Sequence, residues 1–348
     1  MAKTVRVGVL HDMHEGPPVV GDITPWIVRE VAAVQASGRL DAEVEFVHAY
    51  GLGLPTGSAD AVERAFMELA RQDDIVMIAG PAIGDNALIA TPLVERERIP
   101  TINWAGAERA RGEYMFHLQV GSHEDESLVI ARHMQALGAT RLGVVYDQSP
   151  IGTRHLKYLE DEARIIGLEI AAAQAISPLE EDAGPAVNAV LASKPDGFVY
   201  LGLGLSAPAV SQPLAASGWQ GPRIMNTAGI RGMDPLFAAK IDQWIYIDMY
   251  SDRNRTLAAK CKELGATPHE TLSVAKGHDF GRLVAEGLAR SLEFSRDGVK
   301  TGLEQVKWLA AAEGEEGTTL GFGIQDRGAL HGRYLVMRQW LAGRSVEL

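Results

Sequence analysis

Residues 77–94 read MIAGPAIGDNALIATPLV. An apolar run stops at Gly80-Pro81, small residues follow, and a helical rhythm takes up through Gly84-Asp85-Asn86. Proline cannot donate to a strand ladder, and glycine enters backbone conformations closed to other residues. The stretch therefore predicts a strand, a tight loop and a helix. Read back to Asp74, the apolar part is DIVMIAG, without polar alternation, and RLGVVYD at 141–147 has the same character. Such strands are buried on both faces, as parallel strands covered by helices must be.

Working outward, β-branched runs alternate with amphipathic ones. Strands are predicted over 5–10, 44–48, 75–79, 101–103, 142–146, 168–172, 197–201, 223–226 and 244–247. Helices are predicted over 25–37, 61–71, 87–97, 124–137, 153–166, 186–193, 207–217, 255–264, 273–295 and 301–312. The class is α/β, doubly wound. One block of strand-helix units ends near His117. GSHEDES then opens a helix, with Ser122 as its cap and Asp125 at the capping-box position, and a second block runs to about Tyr250. Beyond it come three helices and two strand-like runs, GTTLGFGIQ and GRYLVMRQW, joined by a turn at Asp326-Arg327-Gly328.

The 348 residues exceed what one core usually supports, so two lobes are expected. A net charge of -12 and the absence of any Lys/Arg-rich stretch argue against a nucleic-acid partner. Cys261, the single cysteine, can form neither an internal disulfide nor a thiolate metal site, and reads as an inert core thiol on a helix. Met1-Ala2-Lys3-Thr4 leads straight into a strand without the layout of a signal peptide, and no apolar stretch is long enough for membrane insertion.

Ligands of open parallel sheets bind beyond the carboxyl ends of the strands, which directs attention to the residues just after each one. These mix carboxylates, amides, hydroxyls and aromatics, a set suited to a small polar or amphiphilic ligand. Sharper chemistries fail. Gly84 is followed by Asp85-Asn86 where a phosphate loop needs Lys and Ser/Thr. GLGLSA (202–207) fits the dinucleotide fingerprint, yet the next strand ends in Asn226, where an acidic ribose ligand is required. His11, Asp12 and His14 point in different directions on an extended segment, so no metal is expected. No G-x-S-x-G elbow exists, and His278-Asp279 near the start of a helix reads as a solvated or capping pair. No cofactor is called for.

The segment MIAGPAIGDNALIATPLVERERIPTINWAGA (77–107) resembles the type I periplasmic-binding-protein family, the branched-chain amino-acid receptors of ABC transporters and their amide-sensing relatives. RLGVVYDQSPIGTRHLKYLEDEARIIGLEI, PDGFVYLGLGLSAPAVSQPLAASGW and GALHGRYLVMRQW continue the resemblance in register over almost the whole chain, the last as a closing strand pair. The resemblance implies two Rossmann-like lobes joined by three crossovers, with the ligand cleft between them and capture by hinge closure. Lobe one would be 1–119 with 252–325 and lobe two 120–251 with 326–348, with hinges near 118–121, 249–253 and 324–328.

The resemblance also implies where ligand binds: His11, Asp12, Asp85, Asn86, Trp104, Ala105 and Gly106 in lobe one, and Ile151, Leu205, Asn226 and Tyr250 in lobe two. Relatives that hold amino acids present hydroxyls where this chain has Gly84-Asp85-Asn86, a tyrosine near Ile151-Gly152, and an acid near Asn226-Thr227. These departures turn the expectation from a branched-chain amino acid toward a larger, less polar, aromatic or alicyclic ligand. The function implied is a non-enzymatic solute receptor working with an ABC permease. The alternatives are a cytoplasmic sensor controlling a regulator protein, and a nucleotide-dependent enzyme. The resemblance places the protein outside the cytoplasm, whereas a true start at Met1 would place it inside.

Overall fold

The computed structural model describes residues 3–19 and 21–348. In chain order the elements are β1 (Lys3–His11), α1 (Thr24–Ala36), β2 (Ala42–Tyr50), α2 (Ala59–Ala70), β3 (Ile75–Ala79), α3 (Gly84–Glu97), β4 (Thr101–Asn103) and β5 (Met115–His117). Next come α4 (Asp125–Ala136), β6 (Arg141–Asp147), α5 (Pro150–Ile166), β7 (Glu169–Ile176), α6 (Gly184–Ala192), β8 (Gly197–Leu201), α7 (Ala207–Ala216), β9 (Arg223–Met225), a 3-10 helix (Thr227–Met233), α8 (Pro235–Ala238) and β10 (Ile245–Asp248). The remainder is α9 (Arg255–Leu264), α10 (Thr271–Ala289), α11 (Arg296–Glu304), the short strands β11 (Leu309–Ala310), β12 (Thr319–Leu320) and β13 (Leu330–His331), and the terminal β14 (Val336–Leu341) and β15 (Arg344–Glu347).

The chain divides into unit 1, residues 1–120 with 250–334, and unit 2, residues 121–249 with 335–348. Unit 1 holds a parallel sheet in the order β2-β1-β3-β4-β5, and unit 2 repeats that order as β7-β6-β8-β9-β10 before adding β14 and β15 antiparallel at its edge. The two blocks read from the sequence are thus two copies of one topology, and the α/β class with parallel sheets is the observed one. All five residues of β3 are buried, as are all five of β8, which is why neither strand alternates. In unit 1, Val62, Phe66 and Leu69 of α2 and Val94 of α3 close over Leu10, Ile75 and Ile78. In unit 2, Ile130 and Met134 of α4 and Leu159 of α5 cover Leu142, Val144 and Val199.

Several expectations need correction. Residues 84–86 belong to α3, three residues ahead of the predicted start, and the helix expected over 301–312 is α11, begun where Ser295 Oγ accepts from Gly298 N. Ser122 Oγ accepts from Asp125 N (2.8 Å), but in return Ser122 N donates to Glu126 (2.6 Å), not to Asp125. The larger difference is at the end of the chain. The runs at 317–325 and 332–340 do not form one hairpin: β12 pairs with β11 and β13 in a small sheet of their own, and β14 pairs with β10 and β15. Arg327 explains this. It is 4% exposed, and its guanidinium donates to the carbonyls of Gly112, Gly323 and Glu113 and to Glu304 (2.6 Å), so residues 323–328 are tied into unit 1. The chain therefore returns to unit 2 after Tyr334, not after 325, and Tyr250 belongs to unit 1.

Candidate functional site

Where the strand order of a parallel sheet reverses, the loops on either side diverge and leave a crevice. That point lies between β1 and β3 in unit 1 and between β6 and β8 in unit 2.

In unit 1, β3 ends at Gly80, whose φ is +111° and where a Cβ would sit 2.6 Å from the Leu10 carbonyl oxygen. The break after Ala79 is thus a close crossing of two backbones that only glycine permits. Asp12, just past β1, is 1% exposed. Its Oδ1 accepts from Ala82 N (2.9 Å), and its Oδ2 from Ile83 N (3.0 Å) and Asn86 Nδ2 (2.9 Å). Asn86 Oδ1 in turn accepts from Leu54 N (3.1 Å). The N-terminus of α3 therefore already holds a carboxylate, placed where the helix dipole favours it. Burial pushes the Asp12 carboxyl above its usual range, and the bonds from Asn86, Ala82 and Ile83 oppose that. Asp85, also buried, adds a second acid to the first turn.

His11 turns to the other face of β1, as strand alternation requires. It stacks on His48 (centroids 5.2 Å) and Tyr50 (4.9 Å), and its Nε2 meets His48 Nδ1 at 2.9 Å. Burial holds its pKa below the ordinary histidine value, His48 and His14 add to this, and Asp22 opposes it.

Trp104 follows β4, donates its backbone N–H to Pro81 O (3.2 Å), and is half-buried, set edge-on to Phe280 with centroids 4.6 Å apart. Gly106 is half-buried and Ala105 buried. His117, which the sequence reading passed over, supports this loop. Arg111 Nε can only donate to its Nδ1 (3.0 Å), so Nε2 carries the proton and donates to Ala105 O (2.5 Å). Burial, reinforced by Arg111, depresses its pKa to about 3. Tyr250, 6% exposed, bridges to Gly314.

Asp147 is the unit 2 counterpart of Asp12, at the end of β6. Fully buried, its Oδ1 accepts from Tyr200 Oη (2.8 Å) and its Oδ2 from Leu203 N (2.9 Å), and burial pushes its carboxyl up to about 6. This is what the GLGLSA loop covers: a carboxylate, which would repel a pyrophosphate. Asn226, 1% exposed, exchanges bonds with Gly202 (Nδ2 to O, 2.9 Å; N to Oδ1, 3.3 Å) and faces His155 Nε2 (3.4 Å). His155 Nδ1 donates to Ile151 O (3.0 Å). Ile151 is buried in the first turn of α5, and Leu205 is half-buried. Glu126, fully buried, accepts from Ser122 N and from Thr227 N (both 2.6 Å). Arg231, on the 3-10 helix, donates from Nε to Leu203 O (2.7 Å).

The structure thus brings Asp12 and Asn86 together, with the Trp104 loop beside them, and in unit 2 links Asn226 to Ile151 through His155. His11 is separated from Asp12 by facing the other side of the sheet. Asp147, His155, Glu126 and Arg231 were missed as site residues, although Asp147 follows a strand and Arg231 stands alone in the glycine-rich run NTAGIRGMD. His278 and Asp279, expected at the surface, are buried. His278 Nδ1 lies 2.8 Å from Glu30, and Asp279 accepts from Ala312 N and Glu313 N. Cys261 is half-buried on α9 and not in the core. Among the described residues no helix is long and apolar enough to cross a membrane.

The sequence model of the periplasmic binding protein family matches residues 31–338. No curated protein matches the sequence. Among solved structures, a periplasmic binding protein type 1 from Bordetella pertussis Tohama I superposes with a TM-score of 0.84 at 15% identity, covering 99% of this chain and 100% of that one. A solute-binding protein of an ABC transporter from Rhodopseudomonas palustris, in complex with 4-hydroxybenzoate, gives 0.78 at 15% identity, covering 99% and 96%. An ABC transporter substrate-binding protein from Desulfitobacterium hafniense, in complex with Leu, gives 0.76 at 15%, covering 99% and 100%.

Proposed function

The chain belongs to the periplasmic binding protein family, and from that premise we propose that it is a non-enzymatic solute receptor for a small aromatic or alicyclic organic ligand. It captures that ligand by hinge closure and hands it to an ABC-type permease. The observation that carries the ligand class is the acid pair at the start of α3. Asp12 occupies the helix N-terminus through two backbone N–H groups, and Asp85 stands in the same turn. A ligand carboxylate directed there would meet two carboxyl groups. Similar folds include one in complex with Leu and one with 4-hydroxybenzoate, so the choice between ligand classes rests on this chain's own residues.

Thermal unfolding tests the proposal. A ligand at a hundred times its Kd stabilises the native state by about 2.7 kcal/mol, which a melting curve resolves easily. Aromatic and alicyclic compounds raise the melting temperature, while leucine, isoleucine and valine at millimolar concentration leave it unchanged. Clear stabilisation by any of the three amino acids sinks the proposed ligand class.

A further inference from the structure

Unit 2 carries a cation that nothing in the fold needs for its own sake. Arg231 is half-buried at the carboxyl end of the sheet, with its Nε committed to Leu203 O. Among the described residues no acceptor lies within hydrogen-bond distance of its terminal Nη1 or Nη2. The nearest acid, Asp147, makes no ion pair with it, because its two oxygens are turned to Tyr200 Oη and Leu203 N. The guanidinium is also seated by the backbone. Gly204 has φ +94°, and a Cβ there would lie 3.0 Å from Arg231 Cδ and 2.9 Å from Ala228 O, so only glycine leaves room for the side chain.

Resting on the receptor reading above, we infer that Arg231 receives the carboxylate of the ligand, and that the ligand is an aromatic or alicyclic carboxylic acid. A guanidinium held at Nε presents its remaining N–H groups as a planar fork, the arrangement that binds a carboxylate bidentately. Partial burial weakens the competing water and strengthens the pair. The inference asks nothing of the start of α3, where two acids stand. The buried acids Glu126 and Asp147 do not stand ready for an ammonium. Glu126 is bonded to the backbone N–H groups of Ser122 and Thr227, and Asp147 to Tyr200 and Leu203 N.

The test is calorimetry on the full chain with benzoate, cyclohexanecarboxylate and 4-hydroxybenzoate, each acid beside its neutral carboxamide, and with leucine. At least one acid binds, at least tenfold more tightly than its amide. Arg231→Gln weakens that acid thirtyfold or more and leaves the amide within threefold, while Arg231→Lys, which keeps the charge and loses the fork, falls between. Circular dichroism and melting of each unliganded variant confirm folding, and Arg231→Lys carries the test if Arg231→Gln does not fold. An acid bound equally well by the glutamine variant, or by the lysine variant where that one stands in, overturns the inference. So does an amide bound as tightly as its acid, or a panel in which no acid binds. Binding of amides alone leaves the receptor reading intact, whereas a panel silent throughout, leucine included, removes support from that reading too.

Discussion

Asp12 and Asp147 stand at the same place in two copies of one topology, each just at the end of the strand beside which the order reverses. Both are buried, and both accept from the loop after the neighbouring strand. Around them the chemistry diverges. Asp12 receives two backbone N–H groups and the Asn86 amide, so its charge ties the entry of α3 to the end of β1. Asp147 receives one N–H and a phenol, and it has no helix start to complete. Arg231 then adds to unit 2 a cation with spare donors. The difference teaches that a duplicated scaffold can keep a carboxylate for architecture at both switch points while the groups set around it diverge.

The comparison is most severely strained by removing Asp12. Asp12→Ala leaves the backbone donors of Ala82 and Ile83 and the Asn86 amide without their acceptor, and is expected to cost about 4 kcal/mol in urea unfolding. A loss below about 1 kcal/mol would mean that the helix start does not depend on the carboxylate. Asp147 gives the next largest effect, with the opposite sign at neutral pH. Its folded pKa, about 6, lies above the ordinary aspartate value of 3.8. Its contribution to stability is therefore fully present below about pH 4 and is lost as pH rises through 6. Relative to Asp147→Asn, the wild type should lose up to about 3 kcal/mol between pH 4 and 7 and stay level above that. A difference that does not change with pH would place Asp147 in the same category as an ordinary solvated acid. The smallest effect concerns Trp104. Its edge contact with Phe280 supports folding by about 1 kcal/mol, whereas its exposed part is expected to carry about 2 kcal/mol of binding to an acid such as benzoate. Trp104→Ala that binds benzoate normally, measured by calorimetry, would remove it from the site.

Much of this scaffold was legible because its signals are local. Continuous apolar runs mark strands covered on both faces, so the α/β class follows from periodicity, while the repeated order of runs only suggests a duplication and the two-lobe fold is what the family resemblance implies. The site was legible only as a set of strand ends. Asp12 and Asn86 belong to that set, yet what they do is decided by partners 32 to 74 residues away, at Ala82 and Ile83 for the one, and by Leu54 and Asp12 for the other. Spacing along the chain does not say whether a carboxylate at a strand end looks outward or back into its own loops.

Two further decisions were tertiary. Arg327, in a segment that reads as a simple turn, is buried by carbonyls from residues 112 and 113, and so fixes the point at which the chain leaves unit 1. Arg231 carries no pattern of its own in the sequence. It becomes a candidate for binding only because Leu203 O holds one of its nitrogens and Gly204 leaves it space. The sequence by itself determined most of the elements and their parallel packing, because these depend on which residues avoid water. Which polar groups are spent inside the fold and which remain for a ligand was settled by the tertiary structure, because hydrogen bonds are satisfied between residues far apart in the chain.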